Sequence, residues 1–366
     1  MGSRCVLASL EVVVGLAEAA SRAWRRQDGL ISAECVAGVL LERLGAERVR
    51  WEAAPGFGAS GEGVPDEVED EVEATVRQAS WTARRWLHQD GYVPGPMWDQ
   101  RVRVAVGRAL AAAEAGPEIR YLGFKLFLRA LLAECASPGE WMEFVRRFHL
   151  RPDAEFLADG TPDAAVSLAM LRTFKVVDGG EAGGLAALAA RSLVRAERGR
   201  DDGPMVPVLR AEATRQAVRG GCALVGQAHL VMAVCAVDFA LAQTGSRLNA
   251  AAAPVNAAAG VLAELGISYP VIKDFAEDLA AVPGDPPPGE RSWRQDRADP
   301  PWGADLVQAF TEAKRLAVDL GHRFPGTSHV LYAVAADGAG TGARMLRAYG
   351  VDPAALAVRL GRQLAP

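Results

Sequence analysis

Residues 320–331 read LGHRFPGTSHVL. A run of apolar residues at helical spacing precedes it, and GTGARMLRAYGVD follows at residues 340–352. Apolar residues that recur every three or four positions predict amphipathic helices, and a glycine between two such runs predicts a turn. The stretch therefore predicts a helix, a turn at Gly326 and a second helix.

The same pattern occurs earlier in the chain. Residues 224–231, LVGQAHLV, align with residues 324–331, and residues 257–267, AAAGVLAELGI, align with the later tail. Weaker copies of the turn are YLGFKLFL at residues 121–128 and LISAECV at residues 30–36. Self-similarity of this kind indicates a chain built from repeated helical units.

The segment at residues 312–352 closely resembles the repeat in the N-terminal domain of Clp unfoldases. In that family a helix is followed by LGHxxIGTEHLL and then by GxxAxxxLxxxGVD. Two such repeats make one domain, so the resemblance implies an all-α fold of tandem domains, each a pseudo-twofold pair of helical repeats. We expect a divergent domain at residues 1–160, a linker with one helix at 161–202 and a clear domain at 203–366.

Helical spacing extends over nearly the whole chain, and alternating strand-like runs are absent, which favours the all-α class. Helices are predicted at residues 6–26, 32–45, 66–89, 98–114, 122–135, 138–149, 184–198, 206–219, 226–240, 255–265, 270–280, 303–320, 326–336, 340–349 and 353–363.

The charge composition of the chain argues against some classes of binding partner. Lysine and arginine number 40 against 45 acids, a net charge of −5, which argues against general nucleic-acid binding. No run of about 18 uncharged apolar residues predicts a membrane span, and the first residues do not form a clean signal peptide. We therefore expect a cytoplasmic protein. The five scattered cysteines are expected to be buried reduced thiols.

Motifs for catalysis are missing from the sequence. There is no GxxxxGK[ST] phosphate loop, no nucleophile elbow, no HExxH and no CxxC. We therefore expect no enzymatic activity and no cofactor. His229 and His329 lack a close second ligand, so we expect packed histidines and no metal site. Thr327 or Ser328 is expected to cap the helix that follows Gly326.

Glu34 is the first candidate binding residue. Some members of the Clp family bind phosphorylated arginine through the glutamate of GTEH, and a carboxylate suits the planar guanidinium donor face. That position holds Ala228, Ser328 and Lys125 in three repeats, and Glu34 alone keeps the acid. The resemblance therefore implies at most one such site, and the alternative is that Glu34 is a solvated acid at a helix start.

The second candidate surface is the apolar groove that the resemblance implies between the first helices of two paired repeats. In that family an aromatic residue often precedes the first helix of the second repeat, a place held here by Trp302 and, in the divergent half, by Trp98. The other candidate lining residues are Phe310, Leu209, Arg210, Ala213 and Thr214. An aromatic anchor in an apolar groove is a typical binding hot spot. The alternative is that Trp302 and Phe310 pack the core.

Two functions fit these features. The chain is expected either to capture a peptide or cyclic-peptide ligand, as a decoy that protects a Clp unfoldase from an antibiotic, or to dock onto Clp protease components as an adaptor or regulator without a small ligand. Small proteins made of Clp repeats without ATPase modules are known in high-GC bacteria, so the resemblance implies a sequestering role of this type.

Overall fold

A computed structural model describes residues 7–43, 63–64, 66–89, 95–115, 121–135, 166–178, 202–275 and 296–365. The chain divides into two compact units, residues 1–164 with 296–298 and residues 165–295 with 299–366. The described residues contain 14 α-helices and strands of only two residues each, which confirms the all-α class.

The first unit contains five helices among its described residues. They are α1 (Leu10–Arg26), α2 (Ala33–Arg43), α3 (Glu69–Leu87), α4 (Gln100–Ala115) and α5 (Phe124–Cys135), with a 3-10 turn at Asp66–Val68 before α3. Ser9 caps α1 by accepting a hydrogen bond from the backbone N–H of Val12. The core holds the apolar faces of these helices, including Leu16, Leu40, Val102, Leu110 and Phe127.

Two short parallel pairings join the halves of this unit. Strand β1 (Leu7–Ala8) pairs with β4 (Tyr121–Leu122), and β2 (Leu30–Ile31) pairs with β3 (Met97–Trp98). Each pairing joins the turn before one repeat's second helix to the segment before the other repeat's first helix. The reciprocal pattern is the one that a pseudo-twofold pair of repeats produces. The sequence did not predict these strands, because two residues are too few to show alternation.

The second unit contains nine described helices. They are α6 (Val166–Thr173), α7 (Met205–Arg219), α8 (Gln227–Gln243), α9 (Ala258–Glu264), α10 (Tyr269–Ile272), α11 (Ala304–Asp319), α12 (Thr327–Ala336), α13 (Thr341–Ala348) and α14 (Pro353–Leu364). Strand β5 (Val177–Asp178) pairs antiparallel with β6 (Arg247–Leu248). Short 3-10 turns occupy Ala253–Val255 and Lys273–Phe275.

Several helix predictions need correction. Helix α6 was not predicted; it lies in the expected linker but belongs to the second unit. The helix predicted at residues 270–280 is the four-residue α10 followed by a 3-10 turn. The helices predicted at 138–149 and 184–198 lie outside the described residues. The domain boundaries predicted from the sequence stay predictions.

The two repeats of the second unit differ in one connection. Residues 244–257 join α8 to α9, whereas residues 337–340 alone join α12 to α13. Helix α8 also has 17 residues against 10 in α12. The extra length lies in the first repeat, so it contributes to the separation between Gly226 and Gly326 along the chain.

The glycine before each second helix is required by crowding and not by its backbone angles. Gly226 and Gly326 have φ values of −109° and −113°, in the extended region that any residue adopts. A Cβ atom on Gly326 would lie 2.2 Å from the carbonyl oxygen of Val255. Left-handed φ occurs earlier in the turns, at Gly221 and Gly321, with 66° and 70°.

The caps of α12 also differ from the prediction. Its first N–H, that of Thr327, donates to Oδ1 of Asn256 at 2.7 Å. The N–H of Gly326 donates to Nδ1 of His329 at 3.0 Å. Ser328 instead accepts a hydrogen bond from the N–H of Ala257 at 3.1 Å. The other repeat therefore supplies the cap expected from Thr327 or Ser328, because the two helix starts meet.

None of the helices in the described part of the chain has the length and apolar character that crossing a bilayer requires.

Candidate functional site

Trp302 is fixed by a short backbone bridge between the repeats of the second unit. The N–H of Val225 donates to the carbonyl of Pro301 at 2.9 Å, and the N–H of Gly303 donates to the carbonyl of Val225 at 2.9 Å. These bonds make a parallel bridge that sets Trp302 beside the turn before α8. The indole is half-buried, so part of its ring remains open to solvent.

Arg210 connects the two first helices at this point. Its guanidinium carbon lies 5.4 Å from the ring centre of Trp302 and 5.0 Å from that of Phe310, both within cation–π range. Nη1 of Arg210 donates to Asp202 at 2.9 Å, and Lys314 forms an ion pair with the same carboxylate. Asp202 is buried, so these two cations compensate its charge where water is largely excluded.

The structure separates the predicted groove residues into two groups. Arg210, Trp302 and Phe310 come together, although Phe310 is only 3% exposed. Leu209 and Ala213 are 0% exposed and Thr214 is 5% exposed, with its hydroxyl donating to the carbonyl of Arg210. Those three side chains and Phe310 pack the core, so in this conformation the partly exposed residues of the predicted set are Trp302 and Arg210.

Three residues at this site were not predicted from the sequence. Asp202 holds the guanidinium of Arg210 and also pairs with Lys314, and Val307 on α11 exposes 47% of its surface three positions before Phe310. Asp202 is the last residue of the linker expected at residues 161–202, and no sequence signal pairs it with either cation. Val307 could have been found, because it falls outside the buried 306, 310, 313 and 317 face of the helix.

Trp98 occupies in the first unit the place that Trp302 occupies in the second. It pairs with Ile31 as Trp302 pairs with Val225. Trp98 is 9% exposed, however, and its indole N–H donates to Oγ of Ser80 at 2.9 Å. This tryptophan therefore packs the core of the first unit, where its polar atom is satisfied.

Glu34 is occupied by an arginine of its own unit. Arg101 donates to the two carboxylate oxygens of Glu34 at 2.6 and 3.2 Å and also bonds Asp99 at 2.7 Å. Burial opposes ionisation of Glu34, but the hydrogen bonds and charge of Arg101 outweigh it, so the pKa of Glu34 is lowered. The same balance lowers the pKa of Asp99. Glu34 is therefore an ion-paired residue rather than a solvated one.

The histidines of the repeat turns are internal hydrogen-bond partners. His229 is 2% exposed and accepts the N–H of Gly226 through Nδ1 at 3.0 Å. Burial lowers the pKa of His229 to about 4, against the raising effects of that bond and of Asp305. Nε2 of His329 lies 2.8 Å from Nδ1 of His322. No group of three or more metal-ligating side chains occurs among the described residues.

Three of the cysteines are shown as free thiols. Cys222 and Cys235 are buried, and Cys35 is half-buried. Burial and the nearby charge of Asp238 raise the pKa of Cys235 to about 12, so its thiol is protonated at neutral pH.

Comparison with known families identifies the C-terminal repeat. Residues 302–366 match the family model described as the Clp repeat (R) N-terminal domain. This match begins at Trp302, spans α11 to α14, and confirms the resemblance found in the sequence of that segment. No match was found among curated proteins. The match indicates a Clp-related role in protein interaction.

Proposed function

We propose, on the premise of a Clp repeat at residues 302–366, that the second unit is a non-catalytic binding module that captures peptides or peptide-like natural products. Its binding surface is the Trp302 surface, defined here as Trp302, Arg210 and Val307. The observation that carries the proposal is the position of Arg210, whose guanidinium lies over the half-buried indole while Asp202 holds it in place.

This arrangement has the properties of an anchor. Tryptophan and arginine are the residue types that most often dominate binding energy at interfaces, especially where neighbouring groups fix them before the ligand arrives. Backbone bonds on both sides of Trp302 and the ion pair of Arg210 provide that fixation. Val307 adds exposed apolar area on α11, three positions before Phe310. A peptide-like ligand with apolar and carbonyl groups would match this mixture.

A binding module that does not convert its ligand can only sequester it in a fixed ratio. Each molecule removes one ligand molecule, so protection of a Clp unfoldase from an antibiotic requires the module to be present in excess and to bind as tightly as the target does. This is the decoy, or self-resistance, form of the proposal. In that form the chain needs no cofactor and no metal.

Thermal unfolding in the presence of Clp-targeting cyclic peptides tests the proposal. A ligand that binds only the folded chain raises the midpoint temperature as its concentration rises. We expect a saturable rise with these peptides and none with a linear peptide of scrambled sequence. An unchanged midpoint at every concentration would contradict ligand capture.

A second function is favoured by the outer face of α11. Val307 and Val318 expose 47% and 76% of their surfaces, and the spacing of residues 307, 311, 314 and 318 places them on one stripe of the helix. Exposed apolar residues on one stripe suit docking onto another protein. The chain would then be an adaptor or regulator that docks onto a Clp unfoldase without a small ligand.

Co-purification with Clp unfoldase subunits separates the two functions. Docking through the α11 stripe predicts that Val318→Asp removes the co-purified subunits and leaves the cyclic-peptide shift unchanged. If the subunits are retained by Val318→Asp, the stripe is not the docking face. If the chain captures a ligand and does not dock onto a Clp unfoldase, we expect the thermal shift with cyclic peptides and no co-purified subunits.

A further inference from the structure

A cavity of about 710 Å³ opens in the second unit, and none of the three residues of the Trp302 surface lines it. Four segments line it: Phe174 and Val176 after α6, residues 203–205 at the start of α7, residues drawn from 249–256, and the turn at residues 321–325. The volume lies within the range of small-molecule sites. We propose that this cavity binds a small organic anion with an apolar body of two or three aromatic rings.

The cavity is an addition to the repeat pair. The long connection at residues 244–257 forms one wall, and the first repeat alone has such a connection. In the second repeat, the short connection packs directly against the start of α8. There Gln227 donates to Asp337 at 2.8 Å, and a Cβ on Gly340 would lie 2.0 Å from Oε1 of Gln227.

Hydrogen bonds hold the cavity walls in place. The N–H of Asn249 donates to the carbonyl of Val176 at 2.9 Å, and its side-chain amide donates to the carbonyl of Lys175 at 3.0 Å. Asn256 joins the same wall to α12, because it accepts from Thr327 and donates to the carbonyl of Ala252, both at 2.7 Å. A wall fixed in this way loses little conformational entropy when a ligand binds.

The lining has a consistent chemistry. Phe174, Met205 and Phe324 provide apolar and aromatic surface. Arg323 provides the positive charge, with its guanidinium 5.0 Å from the ring centre of Phe324. The lining residues include no aspartate or glutamate. An apolar body with one negative group complements such a surface, because the ring contacts the aromatics and the anion faces Arg323.

His322 adds a hydrogen-bond donor to this wall. Nδ1 of His329 accepts the N–H of Gly326, so the neutral His329 carries its proton on Nε2. That proton is donated to Nδ1 of His322 at 2.8 Å. His322, which lines the cavity, therefore carries its own proton on Nε2, where it can donate to an anion.

Fluorescence titration of the full chain with two related dyes tests the proposal. Anilinonaphthalene sulfonate is an aromatic anion, and N-phenyl-naphthylamine is its neutral counterpart. We expect saturable one-to-one binding of the sulfonate. Arg323→Gln should weaken it about fivefold and leave the neutral dye nearly unchanged, since an exposed charge contributes about 1 kcal/mol or less. Arg315→Gln, on the exposed face of α11, is the matched control and should change neither dye.

A second variant tests the location. Ala252→Trp fills the cavity and should abolish the enhancement by both dyes, while Ala355→Trp, on the exposed face of α14, should not. Circular dichroism establishes that each variant is folded. Binding that survives Ala252→Trp, a loss of both dyes in Arg323→Gln, or the absence of saturable binding would each overturn the proposal. Trp302 does not line the cavity, so these results are independent of the Trp302 surface.

Discussion

The guanidinium of Arg101 donates two hydrogen bonds to the carboxylate of Glu34, at 2.6 and 3.2 Å. The family resemblance assigns this carboxylate position to the guanidinium of a phosphorylated arginine on a partner. Here an arginine of the same unit takes that place, and Asp99 holds it from the other side. A partner arginine would have to displace Arg101, so this ion pair makes phosphoarginine recognition at Glu34 unfavourable.

Arg101→Met should lower the free energy of unfolding of the first unit by about 2 kcal/mol at pH 7, because it leaves two partly buried carboxylates without their cation. The pKa values of Glu34 and Asp99 are lowered in the folded chain, so their stabilisation is present above the unfolded pKa of about 4 and is lost as pH falls further. Urea denaturation should therefore show the deficit at pH 7 and a smaller one at pH 3. Arg103 lies on the same helix as Arg101 and forms a more exposed ion pair with Glu73 of α3, so Arg103→Met should cost less. Equal deficits for the two variants would contradict this prediction.

Gly326→Ala should destabilise the second unit by about 2 kcal/mol, since the new Cβ must displace the backbone carbonyl of Val255. Gly260→Ala is the matched control, because no atom lies within 4 Å of the added Cβ and the residue is inside α9. That change should stabilise the chain by up to about 1 kcal/mol through helix propensity. Chemical denaturation of both variants measures the difference. If Gly326→Ala leaves the free energy of unfolding unchanged, Gly326 and the carbonyl of Val255 do not lie as close together as described.

His229 should make the second unit sensitive to mild acid. Its pKa is about 4 in the folded chain, against about 6.5 when unfolded, so the unfolded chain binds the proton first. The contribution to stability is complete above pH 6.5 and is lost as pH falls towards 4. It should amount to about 2 kcal/mol between pH 7 and pH 5. Hydrogen exchange of the α8 amides at the two pH values measures it.

His229→Gln provides the control for that experiment. Glutamine can accept the N–H of Gly226 as the imidazole does, but it has no proton to gain. The variant should keep much of its stability at pH 7 and lose less on acidification. An unchanged pH dependence would assign the effect to other groups.

Trp302→Ala should abolish the thermal shift produced by cyclic peptides, because it removes the aromatic part of the Trp302 surface. The helices should remain, since the backbone bonds of the bridge come from Val225, Pro301 and Gly303. Trp86→Ala is the matched control, because Trp86 is 44% exposed on α3 and lies outside the proposed surface. Calorimetry measures the affinity of both variants for the cyclic peptides. Retained affinity in Trp302→Ala would refute the assignment of the Trp302 surface.

The sequence predicts most helices well because their signal is local. Helices α7 and α11 begin and end within one residue of their predicted limits, since apolar spacing and the flanking glycines are visible in the chain itself. Helix α6 has only eight residues, which are too few to show a clear helical period in the sequence. Trp302 and Arg210, which the resemblance places at one groove, lie within cation–π range of each other.

The charges at these sites could not be read from the sequence. Glu34 and Arg101 are 67 positions apart, and Asp202 meets Lys314 only after both repeats have folded. Nothing local distinguishes these residues from surface charges. The cavity likewise depends on the position of residues 249–256, a stretch whose hydrogen bonds reach back to Lys175 and Val176.

The bridge between Val225 and residues 301 and 303 makes each repeat the structural complement of the other. The segment 302–366 that carries the family pattern is half of a folding unit, because its helix starts are bonded by Asn256 and Ala257 of the preceding repeat. Two separately produced repeats should therefore reassociate into the native pair. For the same reason, the first repeat of one chain can accept the second repeat of another, which provides a route to a domain-swapped dimer.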